Sequence, residues 1–467
     1  AVPAPPPLPR DVLAKPGFWR SAYFYYHLAI VAGGYARAML WDARGKSPDE
    51  TAELMEAWHR WGAARTKRFL SALGGFYAKV GQVFASKADL VPPEYIPALR
   101  SLLDKCPPES FEQIERVILT ELKKPTLADS FAHFEPVPVA SATIAQVHSA
   151  RLLGPKGERV AVKVRHEGVR DLMVADMRDL HSVSEFSEEK LGVRLSFDHV
   201  SILKEYQREV PMEFDFTREK ELLDEISARC IKGGLQGVAF PQVFHELCAP
   251  GVITMSFLEG EAFSNVMERR SQAKINGVSD PTNVEQVKKH MRVLLESYGH
   301  QIFLIGKFHA DPHPGNLIAM TDGRLGLIDF GLSKVLTNDM RILFCKLTIA
   351  LARRDATHII PLLAETGLKI SNITPEFAEV IAHILFDSRM DKEEYKWTLM
   401  DADAEELRQA RVDQLPEELF MVIRVNTIFR GLLANFGLDM SASIIWEPYA
   451  RKALQLAGVD PPIPAAE

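Results

Sequence analysis

The chain has 467 residues, a formal net charge of −7, 47% hydrophobic and 25% charged residues. That length exceeds one ordinary domain and points to two or three, and the composition is that of a globular protein with a sizeable core. An acidic balance with no basic stripe excludes nucleic acid as a partner.

The four cysteines, Cys106, Cys230, Cys248 and Cys345, are scattered without a Cys-x-x-Cys pair. They read as buried thiols in a reducing compartment, not as disulfides or a metal site. Residues 1–16 are Pro-rich and expected to be extended, and a removed organellar presequence is the expectation for the Met-less start. Phe18 to Trp41 is the most apolar segment, aromatic in its first part and interrupted by His27, Arg37 and a Gly33-Gly34 break. It reads either as a peripheral membrane contact or as a core helix packed on the domain behind it.

Pro48 to Leu73 has helical spacing with Asp49 and Glu50 at its start, and Phe76 to Leu90 forms a second helical stretch. Lys79 and Gln82 share one face of that stretch, with Gly81 between them marking a close backbone approach. On spacing alone they are a solvated surface pair. Ser110 to Gln113 is a capping box opening a third helix.

From about Ala128 the texture changes. The segment leading to Leu153, a turn at Gly154 to Gly157, and Arg159-Val-Ala-Val-Lys-Val164 predict two strands and a turn. Val160-Ala-Val-Lys163 resembles the strand of protein kinases whose Lys pairs with nucleotide phosphates. The loop before it, where a kinase has glycines, is Ala140-Ser141-Ala142-Thr143-Ile144-Ala145. Alanine's Cβ makes positive-φ conformations costly, so this loop has less freedom to place its N–H groups on a phosphate. Residues 165–205 read as a charged helical insertion, without the usual Glu partner for the Lys. The acidic candidates follow at Glu213, Asp215 and Glu219, which cannot all face one way on a helix.

Val252 to Gly260 predicts a strand leading to a hinge, with Met255 as gatekeeper and the backbone from Ser256 through Phe257 to Leu258 facing an adenine edge. Helices are expected around 261–275 and 282–306. Then comes Lys307-Phe-His-Ala-Asp-Pro-His-Pro-Gly-Asn316 and, after a predicted strand–turn–strand, Leu327-Ile-Asp-Phe-Gly331. Protein kinases place an Asp facing the phosphoryl acceptor and hold Mg²⁺ with an Asn and a second Asp, and this spacing supplies Asp311, Asn316 and Asp329 in those roles. His313 reads as a structural histidine and not a metal ligand. Ala310 stands where kinases carry an Arg, no Ala-Pro-Glu follows Gly331, and Leu332 to Leu336 runs straight into a helix. The segment that docks a peptide is therefore short or missing. Residues 340–460 read as an all-helical remainder, with stops at Pro361, Pro375, Pro416 and Gly437.

Taken together, Lys79-Val-Gly-Gln82, Asp89-Leu-Val-Pro92, Pro107-Pro108, Glu213-Phe-Asp215 and the unbroken His309-to-Asn316 run resemble the UbiB/ADCK-type (AarF) atypical kinases. The resemblance spans Gly75 to beyond Arg354. It implies an α+β, protein-kinase-like bilobal fold whose helical N-terminal extension covers the active site, with Lys79 and Gln82 over the nucleotide pocket and Glu213 and Asp215 as regulatory residues. It implies ATP or ADP with Mg²⁺ as cofactors, Lys163 on the phosphates, and Glu219 orienting Lys163. It further implies ATPase or small-molecule phosphoryl transfer supporting isoprenoid quinone or lipid metabolism. The implied partners are a membrane lipid or quinone precursor and a membrane protein complex. The implied location is an organellar membrane, the mitochondrial inner membrane first and the plastid second. The alternative is a pseudokinase scaffold in such a complex. Thr143 departs from the family's usual Ser, and Leu222 from its usual Asn. The expected divisions are 1–47 (tail and apolar segment), 48–127 (helical extension), 128–258 (small lobe) and 259–467 (helical lobe).

Overall fold

The computed structural model describes residues 13, 15–77, 81, 92–100, 108–189, 214–279, 282–371, 374–389, 411–414 and 416–464. They fall into two compact units, Ala1–Phe216 with Phe244–Met255, and Thr217–Val243 with Ser256–Glu467.

The first unit begins with α1 (Phe18–Arg37), continued by a π-helical turn over Ala38–Asp42, and α2 (Pro48–Leu73). Gly33-Gly34 does not break α1. Gly34 lies against the α2 tryptophans, where an added Cβ would come within 2.6 Å of the Trp61 ring, so this glycine serves close helix approach. Ser47 and Glu50 form a capping box at the start of α2, and Pro48 occupies the first turn, where its missing N–H has no intrahelical bond to lose. The short α3 (Tyr95–Arg100) follows, then α4 (Phe111–Leu122), opened by the expected Ser110–Gln113 capping box.

A five-stranded antiparallel-rich sheet comes next: β1 (Phe131–Phe134), β2 (Ala140–Ser141), β3 (Ala145–Leu152), β4 (Arg159–Arg165) and, after an excursion, β6 (Val252–Ser256). Its order is β1-β3-β4-β6, with β2 pairing β3. Ile114 and Ile118 of α4 pack on Phe131, Ala150, Val160, Val162, Val164 and Val252, which form one buried cluster. The helix after Lys163's strand is α5 (Val169–Glu189). Its Met173 and Met177 bury against Phe76 and Phe214.

One ion pair ties these helices together. Arg20 of α1 and Asp176 of α5 are both buried, and the guanidinium meets the carboxylate twice, Nε to Oδ1 at 2.6 Å and Nη2 to Oδ2 at 2.7 Å. Arg20 also donates to the Leu13 and Leu73 carbonyls, and Asp176 accepts from the Phe76 N–H at 3.2 Å. Burial raises the Asp176 carboxyl and Arg20 opposes that rise.

The second unit opens with the body of α6 (Phe216–Lys232) and a sheet of order β5-β10-β9-β7. These strands are β5 (Val238–Ala239), β7 (Gly260–Ala262), β9 (Leu317–Met320) and β10 (Leu325–Leu327). A separate antiparallel ladder joins β8 (Lys307–His309) to β11 (Ser333–Val335). The helices are α7 (Phe263–Ile275), α8 (Val284–Gly299), α9 (Asn338–Arg353), α10 (Ala356–Glu365), α11 (Pro375–Phe386), α12 (Glu417–Phe436) and α13 (Ala442–Ala457). The expectation of an all-helical remainder needs correcting, because β12 (Lys369–Ser371) pairs with β13 (Arg411–Gln414). Pro361 lies inside α10 and not at a stop, whereas Pro375 opens α11, Pro416 caps α12 and Gly437 ends α12 with φ 67°. Among the cysteines, Cys230 and Cys345 are buried as expected, Cys248 is only half-buried, and Cys106 lies outside the described residues.

Residues Glu418–Phe436 of α12 are long and apolar enough to cross a membrane, yet half of that stretch is buried inside the protein. Trp446 of α13 is buried beneath α12's Phe429 and donates its indole N–H to the Leu295 carbonyl at 2.7 Å. This is a core helix.

Arg20→Ala leaves Asp176 buried without its guanidinium, so urea denaturation is expected to show a loss of about 3–5 kcal/mol. An unchanged midpoint and slope would show that the pair contributes little.

Candidate active site

The β9–β10 hairpin is the local device that gathers the second-unit residues. In its register Leu317 faces Leu327 and Ile318 faces Gly326. One step beyond, the Ile328 N–H donates to the Asn316 carbonyl at 3.0 Å. Asn316 ends the catalytic loop and Asp329 follows Ile328, so the pairing brings the two expected Mg²⁺ ligands together. The β8–β11 ladder closes the same loop from its other side, His309 facing Ser333, with the Ala310 N–H donating to the Leu332 carbonyl at 2.8 Å.

The loop from Asp311 to Asn316 is held from within. The Asp311 carbonyl accepts from the His313 N–H at 2.7 Å and from Asn316 Nδ2 at 3.1 Å. That bond commits the Asn316 amide nitrogen and leaves its side-chain oxygen as the end able to ligate a metal. His313 accepts from the Gly315 N–H at 3.2 Å, a turn-stabilising role that agrees with the structural reading. His309 is buried and its Nδ1 lies 2.9 Å from the Tyr298 hydroxyl, while Phe330 packs on its ring at 5.2 Å.

Asp329 has φ 64°, a left-handed conformation that costs a non-glycine residue about 1 kcal/mol or more. The Gly331 N–H donates to its Oδ1 at 3.2 Å, which offsets part of that cost. Gly331 sits tightly: an added Cβ would lie 3.2 Å from Asp329 Oδ1 and 3.3 Å from Glu219 Oε2. Glu219, buried in the first turn of α6, is thereby placed beside the Asp-Phe-Gly backbone. Its charge is favoured there by the positive end of the helix.

In the first unit, Lys163 is buried on β4 opposite Val147, its ammonium 5.1 Å from the Phe216 ring centroid. The alanine-rich segment is a hairpin. Ala140 and Ser141 pair with Val147 and Gln146, and the Ala142 N–H donates to the Ala145 carbonyl at 2.8 Å across Thr143 and Ile144. No residue from Ala140 to Ala145 has positive φ, which is the outcome alanine's Cβ imposes. His166 anchors the turn: its N–H donates to the Ile144 carbonyl at 2.9 Å and its ring meets the Thr143 backbone. Burial holds the His166 imidazole down at about 4.

Met255 is buried at the end of β6, and Phe257 is half-buried just beyond it. Asp215 is exposed. Lys79, Gln82 and Glu213 lie outside the described residues. Among the described residues, no group of three His, Cys, Asp and Glu side chains forms a ready metal site. The donor set fits Mg²⁺ nonetheless, since that ion binds through one or two protein oxygens and completes its shell with phosphates and water.

Two residues beside the expected site residues, one in each unit, carry no sequence signal. Arg424 of α12 donates to Asp311 Oδ1 at 2.8 Å across 113 positions. His166, the anchor of the alanine turn, is the other.

A catalytic loop and an Asp-Phe-Gly joined through a short hairpin, with a buried Lys on an antiparallel sheet, define a kinase-like domain. The ABC1 atypical kinase-like domain description matches residues 101–363, more than half of the chain. The chain belongs to this family, the UbiB/ADCK group of AarF-domain proteins. It is 28% identical to AarF domain-containing protein kinase 1 of Xenopus tropicalis, over 79% of this chain and 69% of that one. It is also 28% identical to the chloroplastic protein ACTIVITY OF BC1 COMPLEX KINASE 8 of Arabidopsis thaliana, over 84% of this chain and 54% of that one. The solved Mycobacterium tuberculosis protein Rv3197, in complex with erythromycin, shares the fold with a TM-score of 0.54 at 22% identity, covering 87% of this chain and 98% of that one.

Because His166 is held neutral in the fold, with about 4 against an ordinary 6.5, its contribution is complete above pH 6.5 and is lost as pH falls toward 4. Thermal or urea unfolding between pH 7 and 4.5 is expected to show up to about 3 kcal/mol less acid loss in His166→Gln than in the parent. Superimposable pH curves would refute it.

Proposed function

We propose that the protein is a Mg²⁺-dependent adenine-nucleotide enzyme that hydrolyses ATP or transfers its γ-phosphoryl group to a small acceptor. The observation that supports this reading is the Ile328–Asn316 pairing, which joins the end of the Asp311–Asn316 loop to the residue before Asp329. Asn316 and Asp329 would hold the metal, which supplies charge neutralisation on the phosphates. Asp311 orients or deprotonates the acceptor. Lys163 is the ammonium assigned to the α- and β-phosphates, with Glu219 its assigned acidic partner, and the Ala140–Thr143 turn, Met255 and Phe257 are assigned to the nucleotide.

A peptide is a poor acceptor here. β11 ends at Val335 and α9 begins at Asn338, so two residues separate them. That passage leaves no room for a polypeptide-docking segment between β11 and α9.

A small apolar acceptor at an organellar membrane, such as a quinone precursor or lipid, is supported by a second feature. The turn after α1 exposes Met39 at 65%, Leu40 at 63% and Trp41 at 67%, and Arg37, Arg44 and Lys46 surround it in exposed positions. Trp with apolar neighbours and a cationic rim suits the interface of an anionic bilayer. Of the two compartments considered, the plastid has the support of the Arabidopsis relative's name.

Thermal shift with ATP or ADP and Mg²⁺ is expected to raise the parent's unfolding temperature by several degrees at a hundredfold excess over Kd. Asp329→Asn should lose the Mg²⁺-dependent part of the shift, and turnover should fall by about 100-fold or more. A parent that shifts with neither nucleotide would leave the scaffold reading in its place. In liposome flotation, replacing Met39, Leu40 and Trp41 together by Ser is expected to abolish recovery with anionic vesicles. Unchanged recovery would refute the interfacial contact.

A further inference from the structure

The Asp311 loop of this chain has no guanidinium at the preceding position, where Ala310 is fully buried. A guanidinium is nevertheless there. Arg424 Nη2 donates to Asp311 Oδ1 at 2.8 Å, reaching across from α12. The side chains of Arg424 and Asp311 are 33% and 28% exposed. At that exposure an ion pair contributes at most about 1 kcal/mol, so stability is a weak reason for it to be there.

Nor does α12 need Arg424 to stay in place. Arg430 donates to the Ile384 and Asp387 carbonyls, Phe429 packs edge-on against Tyr298 at 4.9 Å, and Leu432 and Leu433 are buried. Tyr298 in turn meets His309. The helix is thus seated on α8 and α11 by contacts other than Arg424, and that seating carries Arg424 to Asp311.

We propose that Arg424 is a positioning residue for phosphoryl transfer. By engaging Oδ1 it fixes the Asp311 carboxylate and leaves Oδ2 to take the acceptor's proton. This rests on the nucleotide-enzyme reading above. In the step it serves, the acceptor oxygen forms a bond to the γ-phosphorus and passes its proton to Asp311. The bond from that phosphorus to the bridging oxygen breaks, and ADP leaves with the electron pair. Asp311 then returns the proton to solvent. A fixed carboxylate loses less freedom on reaching that geometry, so the gain falls on the chemical step and not on nucleotide affinity.

The test is steady-state ATP turnover of the full chain with Mg²⁺ for the parent, Arg424→Lys, Arg424→Met and Arg424→Ala. The expected result is a kcat lowered about 10- to 100-fold in Arg424→Met and Arg424→Ala. KM for ATP should stay within about threefold, Arg424→Lys should recover most of the loss, and added guanidinium ion should partly restore Arg424→Ala. An Arg424→Ala kcat equal to the parent's overturns the proposal and leaves the function standing. So does an equal loss in Lys, Met and Ala variants accompanied by a lowered unfolding temperature, which marks a structural role. If the parent turns over no ATP, the proposed function fails. The pair is then read by retention of ADP, Mg²⁺ and fluoroaluminate, a mimic of the transferring group. Retention lost in Arg424→Ala and kept in Arg424→Lys, with ADP binding alone unchanged, supports the positioning role, and equal retention in all variants overturns it.

Discussion

A single backbone hydrogen bond organises the site: the Ile328 N–H to the Asn316 carbonyl, 3.0 Å. It is the last rung of the β9–β10 hairpin, and it joins the end of the catalytic loop to the residue before Asp329. Everything chemical in the second unit is placed relative to it. The loop cannot swing outward, because the Ala310–Leu332 bond and the β8–β11 ladder hold its opposite side. Asp329 cannot relax from φ 64° without losing the Gly331 bond to its own carboxylate. Local strain persists here because the surrounding bonds over-determine the backbone.

The alanine-rich turn of the first unit follows a different logic with a similar result. A glycine loop binds phosphate by taking backbone conformations closed to other residues. The turn from Ala142 to Ala145 takes none of them, and it is fastened by β2, β3 and His166. The result is a fixed backbone whose Ala142 N–H is already given to the Ala145 carbonyl. Under the proposed function, the two-residue passage from β11 to α9 suits a small acceptor better than a polypeptide.

Much of this was legible in the residues. The Ser110–Gln113 box, the Pro48 start, the strands around Lys163 and the hairpin between Asn316 and Asp329 are local patterns, and local patterns are what a sequence displays. The Gly33-Gly34 pair misleads because its purpose is a neighbour: Gly34 makes room for Trp61 on α2. Pro361 misleads in the same way, since packing of α10 overrides its reluctance to sit in a helix. Arg20 with Asp176 and Arg424 with Asp311 are separated by 156 and 113 positions. No periodicity links such residues, so only the folded chain reveals them. Glu219 stood among three acidic candidates by sequence. The tight approach of its carboxylate to Gly331 distinguishes it from Asp215, which is exposed.

The buried Arg20–Asp176 pair has a consequence for how the extension can act. Asp179, one turn along α5, accepts from the Ser21 hydroxyl at 2.7 Å and from the Tyr77 hydroxyl at 3.0 Å. Asp176 accepts from the Phe76 N–H as well. Phe76 and Tyr77 are the residues just before Lys79, and α5 is the helix that leaves the Lys163 strand through the turn at His166 to Gly168. Within the first unit, then, two acids on one helix hold both the first apolar helix and the start of the Lys79 segment. Removing a partner from a buried pair costs several kcal/mol, far more than a surface contact. The first apolar helix and the start of the Lys79 segment are therefore fastened to α5, the helix that follows the Lys163 strand.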